Sequence, residues 1–257
     1  MIIKHSIAFS LCIFFTFSSV IAQTKGKATA KKQTASKPAA VAAQKKDFSA
    51  PWMQMNSKER MLEITTDYGV MIAKLYDSTP LHRDNFVKLV QQKFYDSLLF
   101  HRVISQFMIQ GGDPVSKNAA DGVQLGGGSA PGERIPAEIK PYLFHKKGAF
   151  AAARDENPEK ASSNCQFYIV GGKLSNEKEL SDVYTKRVAA ANPKFGYTNA
   201  QKEIYARIGG TPFLDQSYTV FGEVISGLDV VDKIASLPKD AANRPVQNVR
   251  MKIRLLN

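Results

Sequence analysis

Cysteine is scarce: Cys12 and Cys165 are the only two among 257 residues. Cys12 falls in an apolar N-terminal run that reads as a cleaved leader. Once that run is removed, Cys165 has no partner, so no intramolecular disulfide can brace the fold even in an oxidising compartment. Stability must come from the chain's own core. Histidine is nearly as rare, and His82, His101 and His145 have no Cys or His at metal-ligand spacing. Past residue 22 no stretch is long and apolar enough to span a bilayer. The triplet Gly126-Gly127-Gly128 is followed by no Gly-Lys-Ser/Thr, which excludes a phosphate-binding loop there. Acidic residues are missing altogether from the first 46 positions.

That last absence explains most of the formal charge of +12. All eight lysines of residues 1–46 are uncompensated, and without them residues 47–257 carry only +4. A nucleic-acid partner is therefore not expected. Residues 1–22 have the form of a secretory signal peptide: Lys4 and His5 begin it, Ile7 to Val20 is apolar, and Val20-Ile21-Ala22 offers a cleavage site before Gln23. The alternative is an uncleaved membrane anchor, for which the apolar core is short. Cys12 follows Leu11 with no small residue just before it, a poor lipid-attachment site. Residues 23–47, rich in Lys, Ala, Thr, Gln and Ser, cannot bury enough apolar surface to offset their ordering entropy. They are expected to form a disordered linker, either a solvated spacer or a loose contact to anionic lipid or polysaccharide. The globular domain then spans 48–257, with no membrane span after signal removal, exported to a periplasm or beyond the cell, and monomeric.

Within the domain, Leu62, Ile64, Val70, Ile72 and Leu75 lie in β-rich runs around the turn signal Thr66-Asp67-Tyr68-Gly69. Thr79 as N-cap and Pro80 at the first helical position open a helix with Phe86, Leu89 and Val90 on one face. Leu98–Val103, Phe107–Gln110, Gly148–Ala153, Gln166–Val170 and Tyr218–Val224 read as strands, and 228–237 as a second helix with Val230, Val231 and Ile234 facing inward. Val249, Met251, Ile253 and Leu255 alternate with polar residues, the pattern of a half-buried strand. Asp113 to Glu133 is a long Gly-rich loop. Many short strands and few helices suggest a β-barrel, though periodicity alone does not separate barrel from sandwich.

The most informative stretch is 100–113, Phe-His-Arg-Val-Ile-Ser-Gln-Phe-Met-Ile-Gln-Gly-Gly-Asp. Arg102 sits among Phe100, Val103, Ile104, Phe107, Met108 and Ile109. Burying an unpaired charge is costly, so this arginine must find a partner or face a cleft. His101, on the opposite strand face, is expected to be a hydrogen-bonded structural residue, and Asp113 to cap a turn.

This stretch resembles the signature of the cyclophilins, the peptidyl-prolyl cis/trans isomerases. The segments Gly148–Arg154, Gln166-Phe167-Tyr168-Ile169, Pro212–Asp215 and Tyr218–Gly222 resemble further family segments, and together they cover roughly 60–172 and 211–256. The resemblance implies a closed eight-stranded antiparallel barrel capped by two helices. It implies isomerisation of X-Pro bonds in client polypeptides with no cofactor. Arg102 falls on the family's catalytic arginine and Gln110 on the glutamine that helps hold the substrate carbonyl. Phe107, Met108 and Leu214 fall on the walls of the proline pocket, and Ala153 on the backbone strand along which substrate lies. Gln166, Tyr168, Phe213, Tyr218 and Arg154 also match positions along the substrate groove. Phe167, by strand alternation, is expected to turn into the core.

Four positions depart from common members: Tyr168 for Phe, Phe213 for Trp, Tyr218 for His and Arg154 for Asn. The last three suggest a bacterial-type enzyme, and Phe213 in place of the indole implies weak cyclosporin sensitivity. Tyr168 needs a partner for its hydroxyl and threatens to shrink the pocket. Residues 173–210 fall outside the resemblance. Leu180, Val183, Tyr184 and Val188, then a Thr198-x-x-Gln201 box before Ile204 and Ile208, predict a helical hairpin. It is either a tolerated insertion or an element that docks clients. The competing function is a proline-peptide binding module or holdase, which would not need Arg102.

Overall fold

The computed structural model describes residues 59–256, so the expected leader and linker lie outside the described residues. Eight strands form one antiparallel sheet: β1 Arg60–Thr66, β2 Gly69–Leu75, β3 Phe100–Ile104, β4 Met108–Gly111, β5 Ala149–Ala152, β6 Phe167–Val170, β7 Val220–Ser226 and β8 Lys252–Leu255. Their order is β3-β4-β6-β5-β7-β2-β1-β8.

The sheet curls, but its ladder does not close as the expected barrel requires. Its edge strands, β3 and β8, are joined by the isolated Leu99–Arg250 bridge. Three backbone bonds cross this seam: Ser97 N–H to Met251 O (2.9 Å), Met251 N–H to Leu98 O (2.8 Å) and Phe100 N–H to Val249 O (2.9 Å). The physical reason is local. β8 is four residues long and starts beyond the bridging segment, and β3 shifts register between Phe100 and Arg102 as soon as it begins.

Strand alternation sorts β4, β5 and β6 into two populations. Ile109, Phe150, Ala152, Phe167 and Ile169 enter the main core, where the Phe150 and Phe167 rings stack at 4.7 Å. Met108, Ala149, Ala151, Tyr168 and Val170 form a second cluster on the other face. These strands are therefore buried on both faces, and the second face is where the site lies.

Helix α1 (Pro80–Gln91) adds Phe86, Leu89 and Val90 to the main core. Its start differs from expectation. The Thr79 side chain makes no cap bond; instead Glu138, 56 to 57 residues away, accepts from Leu81 N–H (3.1 Å) and His82 N–H (2.9 Å). The same carboxylate meets His82 Nδ1 at 2.7 Å, and His82 Nε2 lies 3.0 Å from Ser162 Oγ.

The predicted helical insert is present. Helix α2 (Glu177–Val183) runs through a π turn at Tyr184–Val188 into α3 (Ala189–Ala191), and α4 (Asn199–Arg207) follows. Asn176/Glu179 and Thr198/Gln201 form reciprocal capping boxes at α2 and α4. The insert is pinched at its base. Lys173 and Gly210 exchange backbone bonds, and a Cβ on Gly172, whose φ is +62°, would run into Gly210. Finally, α5 (Leu228–Ala235) buries Val230, Val231 and Ile234.

Candidate active site

One rung of the sheet assembles the site. Arg102 pairs with Gln110 across β3 and β4, Gln110 with Tyr168 across β4 and β6, and Tyr168 with Ala151 across β6 and β5. Residues directly opposite on one face lie about 5 Å apart at Cβ. Register alone therefore brings together a cation, a primary amide and an aromatic ring from three strands.

The Arg102 guanidinium is half-buried. Its Nη1 lies 3.4 Å from Gln110 Oε1 and 3.9 Å from Met108 Sδ, and its carbon sits 5.7 Å from the Phe107 ring centre. No carboxylate pairs with it among the described residues. Burial, only partly offset by Tyr218, pulls its pKa below the ordinary arginine value. Beside it lies a hollow of about 120 Å³, lined by Phe107, Met108, Gln110, Ala153, Arg154, Tyr168, Leu214 and Tyr218 as well as Arg102. Arg154 stacks over Tyr218 at 4.5 Å and donates from Nε to Ser217 O (3.1 Å).

Two residues expected along the groove lie beside this hollow, not in its lining. Gln166 lines an adjoining hollow of about 280 Å³ that shares Gln110, Ala153 and Arg154 with the first. Its Nε2 donates to Gly126 O (2.9 Å) and Gly128 O (2.8 Å), and its Oε1 accepts from Gln110 Nε2 (3.3 Å). It holds the glycine loop and Gln110 in place. Phe213 is 43% exposed and packs outside, with its ring 5.4 Å from that of Phe107. Ala153 lines the hollow, but its backbone is already engaged: its N–H donates to Gln166 O and its carbonyl accepts from Ser163 N–H. The hydrogen bonds among the described residues leave the backbone groups of Arg154 as the free edge.

The Tyr168 hydroxyl does not fill the hollow. It turns away to His145 Nε2 (2.8 Å), whose Nδ1 meets Asp215 Oδ1 at 2.7 Å. Nothing in the local sequence signals this, because the partners lie 23 and 47 residues away. His101 also departs from expectation. Both ring nitrogens are buried and have no hydrogen-bond partner among the described residues, and burial lowers its pKa to about 4. Asp113 does cap its turn, accepting from Val115 N–H (2.8 Å).

A cation and an amide on one rung above a small apolar hollow suit a compact apolar ring joined to a carbonyl. Such a hollow has the size and lining to receive a peptide segment that carries a compact ring. The model of the family described as "Cyclophilin type peptidyl-prolyl cis-trans isomerase/CLD" matches residues 61–254. A Staphylococcus saprophyticus protein carrying the peptidyl-prolyl cis-trans isomerase name is 32% identical over 197 residues, 76% of this chain and 91% of that one. A Staphylococcus aureus protein of the same name is 32% identical over 205 residues, 78% and 95% of the two chains. The crystal structure of a Cryptosporidium parvum cyclophilin type isomerase shares the fold, with a TM-score of 0.54 at 22% identity over 77% of this chain and 98% of that one. This chain belongs to the cyclophilin-type peptidyl-prolyl cis-trans isomerases.

Proposed function

We propose that this isomerase acts on X-Pro bonds of exported polypeptides, with Arg102 stabilising the twisted imide. The observation that carries the reading is the position of Arg102: half-buried, unpaired with any carboxylate among the described residues, and on the same rung as Gln110 and Tyr168. Amide resonance sets a rotation barrier of ~18–20 kcal/mol. As the bond twists, the imide nitrogen regains a lone pair. A donor aimed at that nitrogen favours the twisted state over both planar ground states. A guanidinium is always protonated and rigidly forked, which suits it to this role. The proline ring occupies the hollow between Phe107, Met108 and Leu214, Gln110 holds the substrate carbonyl, and the peptide runs past the free backbone edge of Arg154. Lowering the barrier by about 7 kcal/mol accelerates exchange on the order of 10⁵-fold.

Export is supported by the apolar run and cleavage pattern of residues 1–22. Prolyl isomerisation limits folding of some chains, so a catalyst placed where exported chains fold has a substrate supply. A coupled prolyl-peptide assay on the full chain, run beside Arg102→Ala, tests the mechanism. The substitution removes about 2–3 kcal/mol of transition-state stabilisation with near-normal folding. An inactive parent favours a proline-peptide binding module instead; equal activity in the variant overturns the role of Arg102.

A further inference from the structure

The insert is tied to the pocket floor by one buried and one half-buried tyrosine. Tyr197, just before α4, and Tyr205, within it, both donate to Asp215 Oδ2, at 2.8 and 2.6 Å. Asp215 Oδ1 accepts from the His145 backbone N–H at 2.8 Å and lies 2.7 Å from His145 Nδ1. With the Nδ1 proton committed to Asp215, Nε2 is the acceptor for the Tyr168 hydroxyl. Burial, with the nearby Tyr218 and Asp215 adding to it, holds the Tyr168 phenol far above its ordinary pKa, so it remains a donor. Both carboxylate oxygens of Asp215 are thereby used, and His145 and Asp215 are shielded from water.

A second set of contacts reaches the pocket wall. Asn192, at the end of α3, donates to Gln216 Oε1 at 3.0 Å, and the Tyr197 hydroxyl lies 3.2 Å from Pro212 O. The Pro212–Gln216 segment clamped in this way carries Leu214, which lines the hollow. The glycine neck at Gly172 and Gly210 brings the two ends of the insert into close backbone contact at its base.

We propose that the insert is a positioning element for the proline pocket: Tyr197 and Tyr205 orient Asp215 and His145, and these hold the Tyr168 hydroxyl out of the hollow. Tyr205 and Tyr197 are positioning residues, acting on substrate only through Tyr168 and Leu214. The inference rests on the reading that the hollow receives the proline ring. It also explains how a tyrosine is accommodated at the pocket floor.

A double-mutant cycle on the full chain tests it, using the coupled prolyl-peptide assay. Tyr205→Phe removes one oxygen and is expected to cut kcat/KM about tenfold. The floor contacts substrate in ground and transition states alike, so the loss falls on KM. In a Tyr168→Phe background the relay is already severed at its pocket end, and adding Tyr205→Phe changes kcat/KM less than about twofold. A substitution that merely weakened the fold would give the same loss in both backgrounds. Additive losses, no loss in the single variant, or a loss confined to kcat each overturn the inference. Tyr197→Phe, at a less buried hydroxyl, supplies a second cycle if Tyr205→Phe fails to fold by circular dichroism. The parent and Arg102→Ala run in the same series. An inactive parent overturns the isomerisation mechanism and this inference together, whereas an active, Arg102-dependent parent with additive cycles overturns only the positioning role.

Discussion

At the scale of single residues, the site is built on two kinds of side chain. Some are conspicuous because they break a local pattern. Arg102 is a cation in an apolar strand, and its incongruity marks it in the sequence. Others look ordinary in sequence and acquire their roles only through distant partners. Gln166 joins two glycine carbonyls to Gln110, over separations of 38, 40 and 56 residues. Replacing it strands those groups and frees both the glycine loop and Gln110. Gln166→Ala should therefore lower kcat/KM about tenfold, as a slight misplacement of binding groups does, while the thermal midpoint falls only modestly. Steady-state kinetics beside thermal melts check this, and an unchanged kcat/KM would show that Gln166 only braces the loop. Phe213 illustrates the converse. It sits beside Leu214 in sequence, yet a 3₁₀ turn at Pro212–Leu214 directs one side chain to the hollow and the other to its outer rim.

At the scale of elements, helix α1 shows how a local signal can be overridden. Thr79-Pro80 is a sound start signal, and the helix does begin at Pro80. The capping acceptor, however, is Glu138, from the long connection before β5. Burial alone would raise the Glu138 pKa, but the hydrogen bonds from the His82 side chain and from the His82 and Leu81 backbones outweigh it and hold the carboxyl below its ordinary 4.5. Because the folded-state value is lowered, this contribution to stability is fully present above the ordinary value and is lost as pH falls below it. Glu138→Ala should cost about 2 kcal/mol at neutral pH through the lost cap and the stranded His82. Denaturant titrations at pH 7 and pH 3 should show the gap between parent and variant narrowing in acid. A gap that stays constant would refute the pH linkage. The insert teaches the same lesson on a larger scale: its capping boxes are readable locally, but its attachment to Asp215 is not.

At the scale of the whole molecule, one seam distinguishes this sheet. Strands β4, β5 and β6 are hydrogen-bonded on both sides, whereas β3 and β8 meet through one bridge and three backbone bonds. Opening the seam costs fewer bonds than opening the middle of the sheet. Hydrogen exchange should therefore find the amides of Ser97, Phe100 and Met251 exchanging about tenfold faster than those of Ile109 and Ile169. Equal protection would mean that the seam opens only with global unfolding. The site lies on the well-bonded side: its rung crosses β3, β4, β6 and β5, and only its first member, Arg102, comes from an edge strand. The formal charge has no part in this arrangement, since most of it resides in residues 1–46.

The sequence by itself determined the strand and helix segments, including those of 173–210, and singled out Arg102 and Gln110 as candidate site residues. These are properties of short stretches: alternation, capping boxes, and a charge out of place among apolar residues. The tertiary structure alone decided four matters. It left the ladder open at a seam, set Gln166 and Phe213 beside the hollow, made Glu138 the cap of α1, and gave the Tyr168 hydroxyl to His145. In each case the deciding partner lies tens of residues away or in another strand. Such partners meet only when register and packing are set, and a buried polar group must then bond to whatever donor or acceptor the fold brings within reach. That is why the floor of the pocket, whose tyrosine looked in sequence like an obstacle, is held open from behind.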